Sequence, residues 1–401
     1  TNIITGLATI TGAMGIDLYP PLNPTVALVT STTDGWVRKV DLGSNSVIEM
    51  IQFKQLTFLT PTAGTGTASI LATRSITGTS AYFFEPKGIA IHPTENYAVV
   101  VDSNIHCIRK IDLATKVVTT LAGDGSSAIF YFPTGIKIHP NGTYAIVADT
   151  RNHRIRKIDL ATKVVTTLAE DGTGTGIYAS SAYFNQPNGI AIDPSGTFAF
   201  VADGYNHRIR KIELATKVVT TLAGSSDSGY HNATGTSARF AHPLDIDIHP
   251  NGNYALVVDG NSNSRIRKID LATEEVTTLA GDGSSALADS KDGKGESASF
   301  PFPNGISIDP SGTFALVVDS NIHCIRKIDL ATEEVTTLNY PNSVFSTLGN
   351  IDIHPSGNYA LATDSKQYST STHNIIKIDL VIQVNTKIND IVINSDGNSA
   401  Y

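Results

Sequence analysis

The chain has 401 residues, a formal net charge of −8 and a pI near 5.7, and this charge has the wrong sign for neutralising nucleic-acid phosphates. No apolar run reaches the roughly 18 residues of a membrane span, and the start TNIITGLATI lacks the regions of a signal peptide. We therefore expect no nucleic-acid partner and no membrane span.

Hydrophobic residues make up 41% of the chain, which also has 33 Gly and 17 Pro, a composition typical of short strands joined by turns. A cassette of roughly 50 residues recurs along the chain, so its length indicates copy number rather than several domains. The repeat units are residues 14–51, 84–122, 132–169, 185–223, 241–280, 302–338 and 348–386.

Each unit contains four apolar stretches of β-branched residues, seen most clearly in GIKIHP, TYAIVAD, HRIRKIDL and KVVTTLA within 135–169. The joins HPNG and DPSG place Pro and Gly where a type I turn prefers them. The cassette therefore predicts four antiparallel strands, A to D in chain order. Four strands repeated with this period predict an all-β fold, a β-propeller of four-stranded antiparallel blades.

The pattern resembles the NHL-repeat family of β-propellers. The resemblance rests on the P-x-G-I-x-I opening, the V-A-D that ends strand B, N-H-R-I-R-K-I in strand C, L-A-G-x-G, and the later A-x-F-x-x-P. It covers essentially the whole chain, so it implies one propeller over 1–401. It does not imply a particular function.

The number of blades depends on how the ring closes. Residues 1–12 hold a lone strand-D pattern, and 387–401 read as strands A and B of a further copy. The N-terminal strand then completes the seventh blade, or both ends form an eighth, composite blade. We expect seven complete blades, with leftover C-terminal strands as an edge for a neighbouring molecule.

An A-B-C-D path places the D-to-A loops and the B-to-C turns on one face of the propeller. Loops and turns on one face commonly carry binding residues. The candidate interaction face of B-to-C turns comprises Asn104, His106, Arg151, Asn152, His153, Tyr205, Asn206, His207, Asn321 and His323.

Aspartates end strand B in nearly every copy, at Asp102, Asp149, Asp203, Asp259, Asp319 and Asp364. A carboxylate ring would suit calcium or acid–base chemistry, but a side chain that bonds the following turn explains the recurrence better. The Gly-rich loops also lack the spacing of a phosphate or EF-hand site. We expect no cofactor, with calcium as the alternative. The strand-C Arg and Lys are predicted to be solvated or to pack on the sheet.

The middle residue of strand A varies and faces the axis of the ring. Asp17, Lys137, Asp247 and Asp352 are charged there and are candidates to line a polar central channel. Drift at a tolerant position explains the same pattern, so both interpretations stay open.

The stretch SNIHCIRKIDLAT occurs twice, at 103–115 and 320–332, and holds both cysteines of the chain. A repeated His-Cys pair suggests a metal, redox or nucleophilic site. However, Cys107 stands where other copies have Arg154, Arg208 and Arg265, and neighbouring residues of a strand point to opposite sides. We expect a duplicated structural cassette.

These patterns favour a non-enzymatic, extracellular or cell-surface propeller that is a structural or protein-interaction module. Asn141 and Asn232 begin N-x-[ST] sequences and are candidate glycosylation sites. The expected partner is a protein, including a second copy in an oligomer or filament built through the terminal strands. The alternatives are a sensor or ligand-recognition domain of a larger protein, and a lyase or lactonase-like enzyme with a central metal.

Overall fold

The computed structural model describes strands 13–18, 26–31, 36–41, 46–52 and 68–72, and residues 83–380 except 127–128, 170–182, 261, 286–289, 339–344, 346 and 366–372. The chain falls into two compact units, Thr1–Thr62 and Ala63–Tyr401. Within the described ranges no helix is long and apolar enough to cross a membrane.

The first unit contains one four-stranded antiparallel sheet whose strands pair in chain order. Its strands are β1 (Ala13–Leu18), β2 (Val26–Ser31), β3 (Trp36–Asp41) and β4 (Ser46–Gln52). The first repeat unit therefore completes a blade-like sheet from its own residues.

The second unit contains the remaining strands. It starts with β5 (Ala68–Ala72). Blade 1 is β6 (Pro86–Ile91), β7 (Tyr97–Asp102), β8 (Cys107–Asp112) and β9 (Val118–Ala122). Blade 2 is β10 (Ile136–Ile138), β11 (Tyr144–Asp149), β12 (Arg154–Asp159) and β13 (Val165–Ala169). Blade 3 is β14 (Pro187–Ile192), β15 (Phe198–Asp203), β16 (Arg208–Glu213) and β17 (Val219–Ala223).

The other three blades follow the same plan. Blade 4 is β18 (Pro243–Ile248), β19 (Tyr254–Asp259), β20 (Arg265–Asp270) and β21 (Val276–Ala280). Blade 5 is β22 (Gly293–Lys294), β23 (Pro303–Ile308), β24 (Phe314–Asp319), β25 (Cys324–Asp329) and β26 (Glu334–Leu338). Blade 6 is β27 (Leu348–Ile353), β28 (Tyr359–Ser365) and β29 (His373–Asp379), completed by β5.

The core consists of apolar clusters between neighbouring blades rather than one central mass. Between blades 1 and 2, for example, Val99 and Val101 pack with Ala145, Val147 and Phe130. Each such junction excludes water from two sheet faces, which is the main stabilising term of the fold. Another cluster joins blades 6 and 1 through Leu361 and Ile89, so the sheets close into a ring.

This ring has six blades within the described residues, so the prediction of seven complete blades, or eight with a composite blade, is wrong. The all-β propeller of four-stranded antiparallel blades is confirmed. The predicted number of blades was wrong because the repeat pattern indicates which strands pair within one blade. It does not indicate which copies belong to the same ring. The first copy matches the pattern yet belongs to the other unit.

The ring closes through β5, which pairs antiparallel with β29 as the fourth strand of blade 6. Its sequence ASILA has the apolar and small positions of strand D in other blades, such as VTTLA at 118–122. Residues 1–12 and 387–401, to which closure or strand exchange was assigned, lie outside the described residues. The strand that completes blade 6 is therefore 68–72.

Histidines in the A-to-B turns connect neighbouring blades. His249 of blade 4 stacks on Tyr254 with ring centroids 4.5 Å apart, and its Nδ1 accepts a hydrogen bond from the backbone of Asn251. Its Nε2 donates to the carbonyl of Gly312 in blade 5 over 3.0 Å. His92 and His139 make the same contacts to the next blade.

Gly312, whose carbonyl accepts the bond from His249, must be glycine for two reasons. Gly312 has φ of +73°, which L side chains rarely adopt, and a β-carbon there would lie 2.3 Å from His249 Nε2. Gly357 of blade 6 has φ of +71° but open space around its α-carbon, because blade 5 carries Asp309 instead of histidine.

We expect Gly312→Ala to destabilise the protein more than Gly357→Ala. The backbone penalty of about 1 kcal/mol is common to both, whereas displacing the pinned His249 ring adds about 1–3 kcal/mol. Denaturant unfolding of the two variants measures the difference. Equal losses of stability would show that His249 is not held against blade 5.

Candidate protein-binding face and central channel

The B-to-C turns of blades 1–3 are single 3₁₀ turns, Ser103–Ile105, Thr150–Asn152 and Gly204–Asn206, each followed by a histidine. These histidines adopt the left-handed conformation, with φ of +57° for His106 and +56° for His207. Histidine tolerates this conformation better than bulky β-branched residues do. The turn therefore aims the ring back at the following blade.

The histidine rings hold neighbouring blades together on this face. His106, His153 and His207 each accept a hydrogen bond at Nδ1 from a backbone N–H in the loop that leads to the next blade, over 3.1 Å. His323 adopts the same conformation and is exposed. Three of the predicted interaction residues, His106, His153 and His207, therefore also stabilise the fold, a role that the sequence did not reveal.

The strand-B aspartates also accept hydrogen bonds from residues that are distant in sequence. Asp203 Oδ1 accepts from the backbone N–H of Asn185 over 2.7 Å, eighteen residues earlier in the chain. Equivalent bonds occur in the other five blades. The carboxylate was predicted to bond the backbone of the following turn, but its first oxygen instead anchors the D-to-A loop of its own blade. In blades 2–4 its second oxygen does bond the following turn, through the side chains of Asn152, Asn206 and Asn263.

Strand-C arginines complete this buried unit. Arg267 is fully buried, donates to Asp259 Oδ2 over 2.9 Å and stacks on Phe240 at 5.1 Å from the ring centroid. Arg210 pairs with Asp203 in the same way at 3.3 Å. The strand-C lysines instead lie over the first aromatic residue of strand B, as Lys157 does over Tyr144 at 3.8 Å. The strand-C lysines therefore pack on the sheet, as one of the two predictions expected. The other prediction, that the basic residues are solvated, does not fit Arg267 and Arg210.

The duplicated stretch SNIHC departs from this unit at one residue. In blades 2 and 3, Asn152 and Asn206 donate to the second oxygen of the strand-B aspartate over 2.9 and 2.8 Å. Ile105 and Ile322 occupy that place in blades 1 and 5. In the described part of the chain, Asp102 Oδ2 and Asp319 Oδ2 consequently have no hydrogen-bond partner.

Burial raises the pKa of Asp102 to about 7 and that of Asp319 to about 6. An aspartate binds its proton more tightly in the folded state than in the unfolded chain when its folded pKa is raised. Stability is then fully present below the unfolded pKa of about 4 and is lost as pH rises from there towards 7.

We expect Ile105→Asn to stabilise blade 1 by about 1 kcal/mol at pH 8, because the amide gives Asp102 Oδ2 the donor it lacks. The gain should shrink at pH 4, where the carboxyl group is protonated in both chains. Thermal unfolding of variant and wild type at the two pH values measures this. Asn206→Ile is the converse control and should destabilise; a pH-independent effect of Ile105→Asn would contradict the assignment.

Two large side chains on this face, Arg151 and Tyr205, are exposed and are not repeated in every blade. Arg151 lies over the Phe132 ring at 4.3 Å, and Phe132 packs edge-on against His106 with centroids 4.7 Å apart. Tyr205 is 53% exposed and packs edge-on against His242 at 4.5 Å. Arg151 and Tyr205 were predicted, whereas Phe132 and His242, which precede strand A, were not.

A polar cup opens on the same face at the axis of the ring. It has a volume of about 180 Å³ and is formed by the first residues of the A strands. Its polar lining includes Lys87, Thr134, Asn188, Asn304 and Asn350. The strands approach so closely beneath it that a β-carbon on Gly135 would lie 2.1 Å from the Asn188 carbonyl oxygen, which explains the glycine of the P-x-G-I-x-I opening.

An ion cluster lies below the cup. Lys137 of blade 2 contacts Asp352 of blade 6 at 3.0 Å and Asp247 of blade 4 at 3.4 Å. The other oxygens of the two carboxylates accept backbone N–H groups of the next blades, from Ile91 and Ile308. Burial alone would lower the pKa of Lys137, but the two carboxylates outweigh it and raise the pKa.

A third carboxylate lies between the cup and the cluster. Asp245 occupies a place that is glycine in four other blades, and its Oδ2 accepts hydrogen bonds from Ile306 N and Asn350 Nδ2, both over 2.9 Å. Burial raises the pKa of Asp245 to about 7. Asp17, the fourth predicted channel residue, lies on β1 in the first unit, and its side chain is outside the described set.

The two cysteines do not come together. Cys107 and Cys324 are free thiols in blades 1 and 5, which blade 6 separates in the ring. Burial raises the pKa of the Cys107 thiol, and that of Cys324 to about 12, which disfavours the nucleophilic thiolate. In the described parts of the chain no group of His, Cys, Asp and Glu has the arrangement of a metal site.

Comparison with known proteins places these features in a family context. The family model described as NHL repeat matches residues 184–212, which run from the D-to-A loop to strand C of blade 3. The solved structure of a protein of unknown function from Bacteroides thetaiotaomicron superposes with a TM-score of 0.59 and 17% identity, covering 92% of this chain and 86% of the other.

Three curated relatives match a little over a third of the chain. Protein SUPPRESSOR OF QUENCHING 1, chloroplastic, of Arabidopsis thaliana is 33% identical over 37% of this chain and 14% of its own length. NHL repeat-containing protein 2 of Bos taurus is 30% identical over 38% and 22%. Protein STRICTOSIDINE SYNTHASE-LIKE 3 of Arabidopsis thaliana is 26% identical over 38% and 36%. The matched region thus spans a minor part of each relative.

Proposed function

We propose, from the premise that this chain is an NHL-repeat β-propeller, that it is a non-enzymatic protein-interaction module that binds its partner on the face of the B-to-C turns. The observation that carries the proposal is the exposed pair Arg151 and Tyr205, with the half-buried Phe132 ring under Arg151, on the face where the polar cup opens. Arginine and large aromatic residues dominate the binding energy of protein interfaces.

The polar residues that recur in the blades and those that vary between blades have different contacts, and this difference supports the proposal. The recurring histidines, aspartates and arginines are engaged in bonds between or within blades, so they form a rigid support. Arg151 and Tyr205 occupy turn positions that are asparagine in blades 1 and 5. Side chains that differ from blade to blade on a rigid scaffold give a surface its specificity.

The chemistry of the face defines the kind of partner. The Tyr205 ring and the partly covered Phe132 ring offer apolar contact, and Arg151 offers positive charge, whereas Lys87 at the cup is paired with Glu85 over 3.0 Å. A protein loop that packs an apolar side chain on these rings and places a carboxylate or amide in the cup fits this arrangement. No bound cofactor is part of the proposal.

Site-specific photo-crosslinking tests the location. A photo-reactive residue at Tyr205 should capture a protein partner from its native mixture, whereas the same residue at Asn251, an exposed turn of the opposite face, should not. With that partner purified, Arg151→Ala and Tyr205→Ala should each weaken binding about tenfold or more. Crosslinks from position 251 alone, or unchanged affinities, would overturn the proposal.

The enzyme alternative is favoured by one observation, the likeness to Protein STRICTOSIDINE SYNTHASE-LIKE 3. The enzyme alternative includes a metal at the centre of the ring, where Lys137 supplies the positive charge between Asp247 and Asp352. Elemental analysis of the purified protein separates the candidates. One stoichiometric transition metal per chain would favour the enzyme with a central metal.

We also propose an extracellular or cell-surface setting for the module, including the case in which it is the recognition part of a longer protein. Both candidate glycosylation sites, Asn141 and Asn232, are exposed. A mass decrease after enzymatic glycan release from secreted material, abolished by Asn141→Gln together with Asn232→Gln, is the supporting result. Material without glycan at both sites would count against this setting.

A further inference from the structure

The C-to-D turns of the ring change character between two sectors. In blades 1–3 each turn ends in an exposed Lys-Val pair, at Lys116 and Val117, Lys163 and Val164, and Lys217 and Val218. The valines are 55%, 55% and 54% exposed. Blades 4 and 5 have exposed glutamate pairs at the same places, Glu274 and Glu275, and Glu333 and Glu334.

The backbone of the turn is the same in both sectors. Lys163 has φ of +62° and Glu274 has φ of +61°, so the first residue of each pair lies in the left-handed region. An aspartate before the turn accepts backbone N–H groups in both sectors, as Asp159 and Asp270 do. The side chains therefore differ although the fold imposes the same local structure.

Blades 3 and 4 are neighbours, but most of the two sectors is too far apart for their charges to neutralise each other within one ring. Blade 2 and blade 5 stand three places apart among six blades, which puts them on opposite sides of the axis. Exposed charges separated by more than about 10 Å are largely screened at moderate salt. Two complementary patches on opposite sides of one molecule form a head-to-tail contact, which repeats rather than closes as a two-fold dimer.

The outer edges of the blades differ in the same sense. In blade 5 the loop before strand A adds β22, which pairs with β26 and covers the edge of the sheet. In blade 4 the backbone of Val276 bonds to Ala233 of the preceding loop over 2.9 Å. In blade 2 no further strand pairs with β13 among the described residues, which leave out 127–128 and 170–182.

A groove lies along β13 of blade 2. It has a volume of about 410 Å³ and lies between blades 2 and 3, lined by Val164, Thr166 and Leu168 on one side and Leu214 and Lys217 on the other. Exposed valines, lysines and a groove thus occur together in one sector. Such a surface suits an acidic protein partner.

We propose that a second copy of this chain is that partner, and that the glutamate rim of blades 4 and 5 of one molecule docks on the Lys-Val rim of blades 1–3 of the next. The rim lies at the C-to-D turns, on the face opposite the B-to-C turns. Head-to-tail repetition gives a linear assembly that leaves each B-to-C face free for another partner.

Charge-reversal variants test the contact, and the chain itself provides the substitutions. Lys116→Glu, Lys163→Glu and Lys217→Glu in one variant place glutamate where blades 4 and 5 already carry it at the same φ. In a second variant, Glu274→Lys and Glu333→Lys follow the same logic, and Glu275→Val and Glu334→Val complete the Lys-Val pairs that blades 1–3 carry. Both should therefore fold, which their thermal unfolding checks.

Sedimentation velocity at low ionic strength should show wild-type oligomers that dissociate in high salt. Each variant alone should be monomeric, and an equimolar mixture of the two should assemble again because their rims are complementary. Val164→Glu should weaken the wild-type assembly. A wild type that stays monomeric at all accessible concentrations, or variants that assemble as the wild type does, would overturn the inference. The crosslinking test at Tyr205 does not depend on this assembly, so its result would stand even if the protein did not self-assemble.

Discussion

Replacing Lys137 with methionine should lower the free energy of unfolding by about 3–5 kcal/mol, because removing the lysine leaves the two buried carboxylates Asp247 and Asp352 uncompensated. Lys137 is the cation that contacts Asp247 and Asp352 where three blades meet at the axis. The two carboxylates also bond to Ile91 and Ile308 of neighbouring blades, so they cannot turn away without breaking backbone contacts. Chemical denaturation at pH 7 measures the loss.

Two controls separate the ion cluster from a general effect of losing a lysine. Lys291→Met removes an exposed lysine and should change stability by less than about 0.5 kcal/mol. Adding Asp247→Asn and Asp352→Asn to Lys137→Met should recover part of the loss, since the amides keep an acceptor for the backbone without a negative charge. Full stability in Lys137→Met alone would contradict the structural part assigned to the cluster.

Replacing Arg267 with methionine should also destabilise the protein by about 3–5 kcal/mol, because it leaves the fully buried Asp259 carboxylate without its charged partner. Arg267 further donates to the carbonyl groups of Arg239 and His231, so its loss releases the loop that covers blade 4. Hydrogen exchange should show faster exchange in residues 229–241 of the variant.

Blade 1 provides the matched control. Arg109 occupies the position of Arg267, but its guanidinium donates to Thr120 Oγ1 over 2.9 Å rather than to the strand-B aspartate. Arg109→Met should therefore cost only about 1–2 kcal/mol. Similar losses in the two variants would mean that the ion pair with Asp259 adds nothing beyond packing on the phenylalanine.

The architecture of one blade was predictable because its determinants are local. Alternating apolar residues define each strand, and HPNG at 139–142 defines a turn, so four antiparallel strands follow from the sequence. The blade count was not predictable, because membership of a ring depends on contacts between copies. The ASILA strand at 68–72 carries a strand-D pattern, yet only its pairing with β29 distinguishes it from the similar pattern at 2–9.

The candidate site was predictable in part for the same reason. The chain path placed Arg151, Tyr205 and the histidines on one face, but the bond from His207 to the backbone of His242 joins residues 35 apart in sequence. The partner of Asp203 lies eighteen residues earlier. Periodicity cannot give such pairings, so residues that hold the blades together and residues free to bind looked alike.

Affinity for the crosslinked partner, measured by calorimetric titration on Tyr205→Ala and His207→Ala together with their melting temperatures, tests the central claim most directly. Tyr205 is exposed, whereas His207, two residues later, bonds to the next blade. We predict that Tyr205→Ala loses affinity about tenfold or more at unchanged stability, and that His207→Ala loses stability but keeps its affinity once folded. Equal losses of affinity in both, or none in either, would contradict the claim that the outward-facing side chains of this face bind the partner.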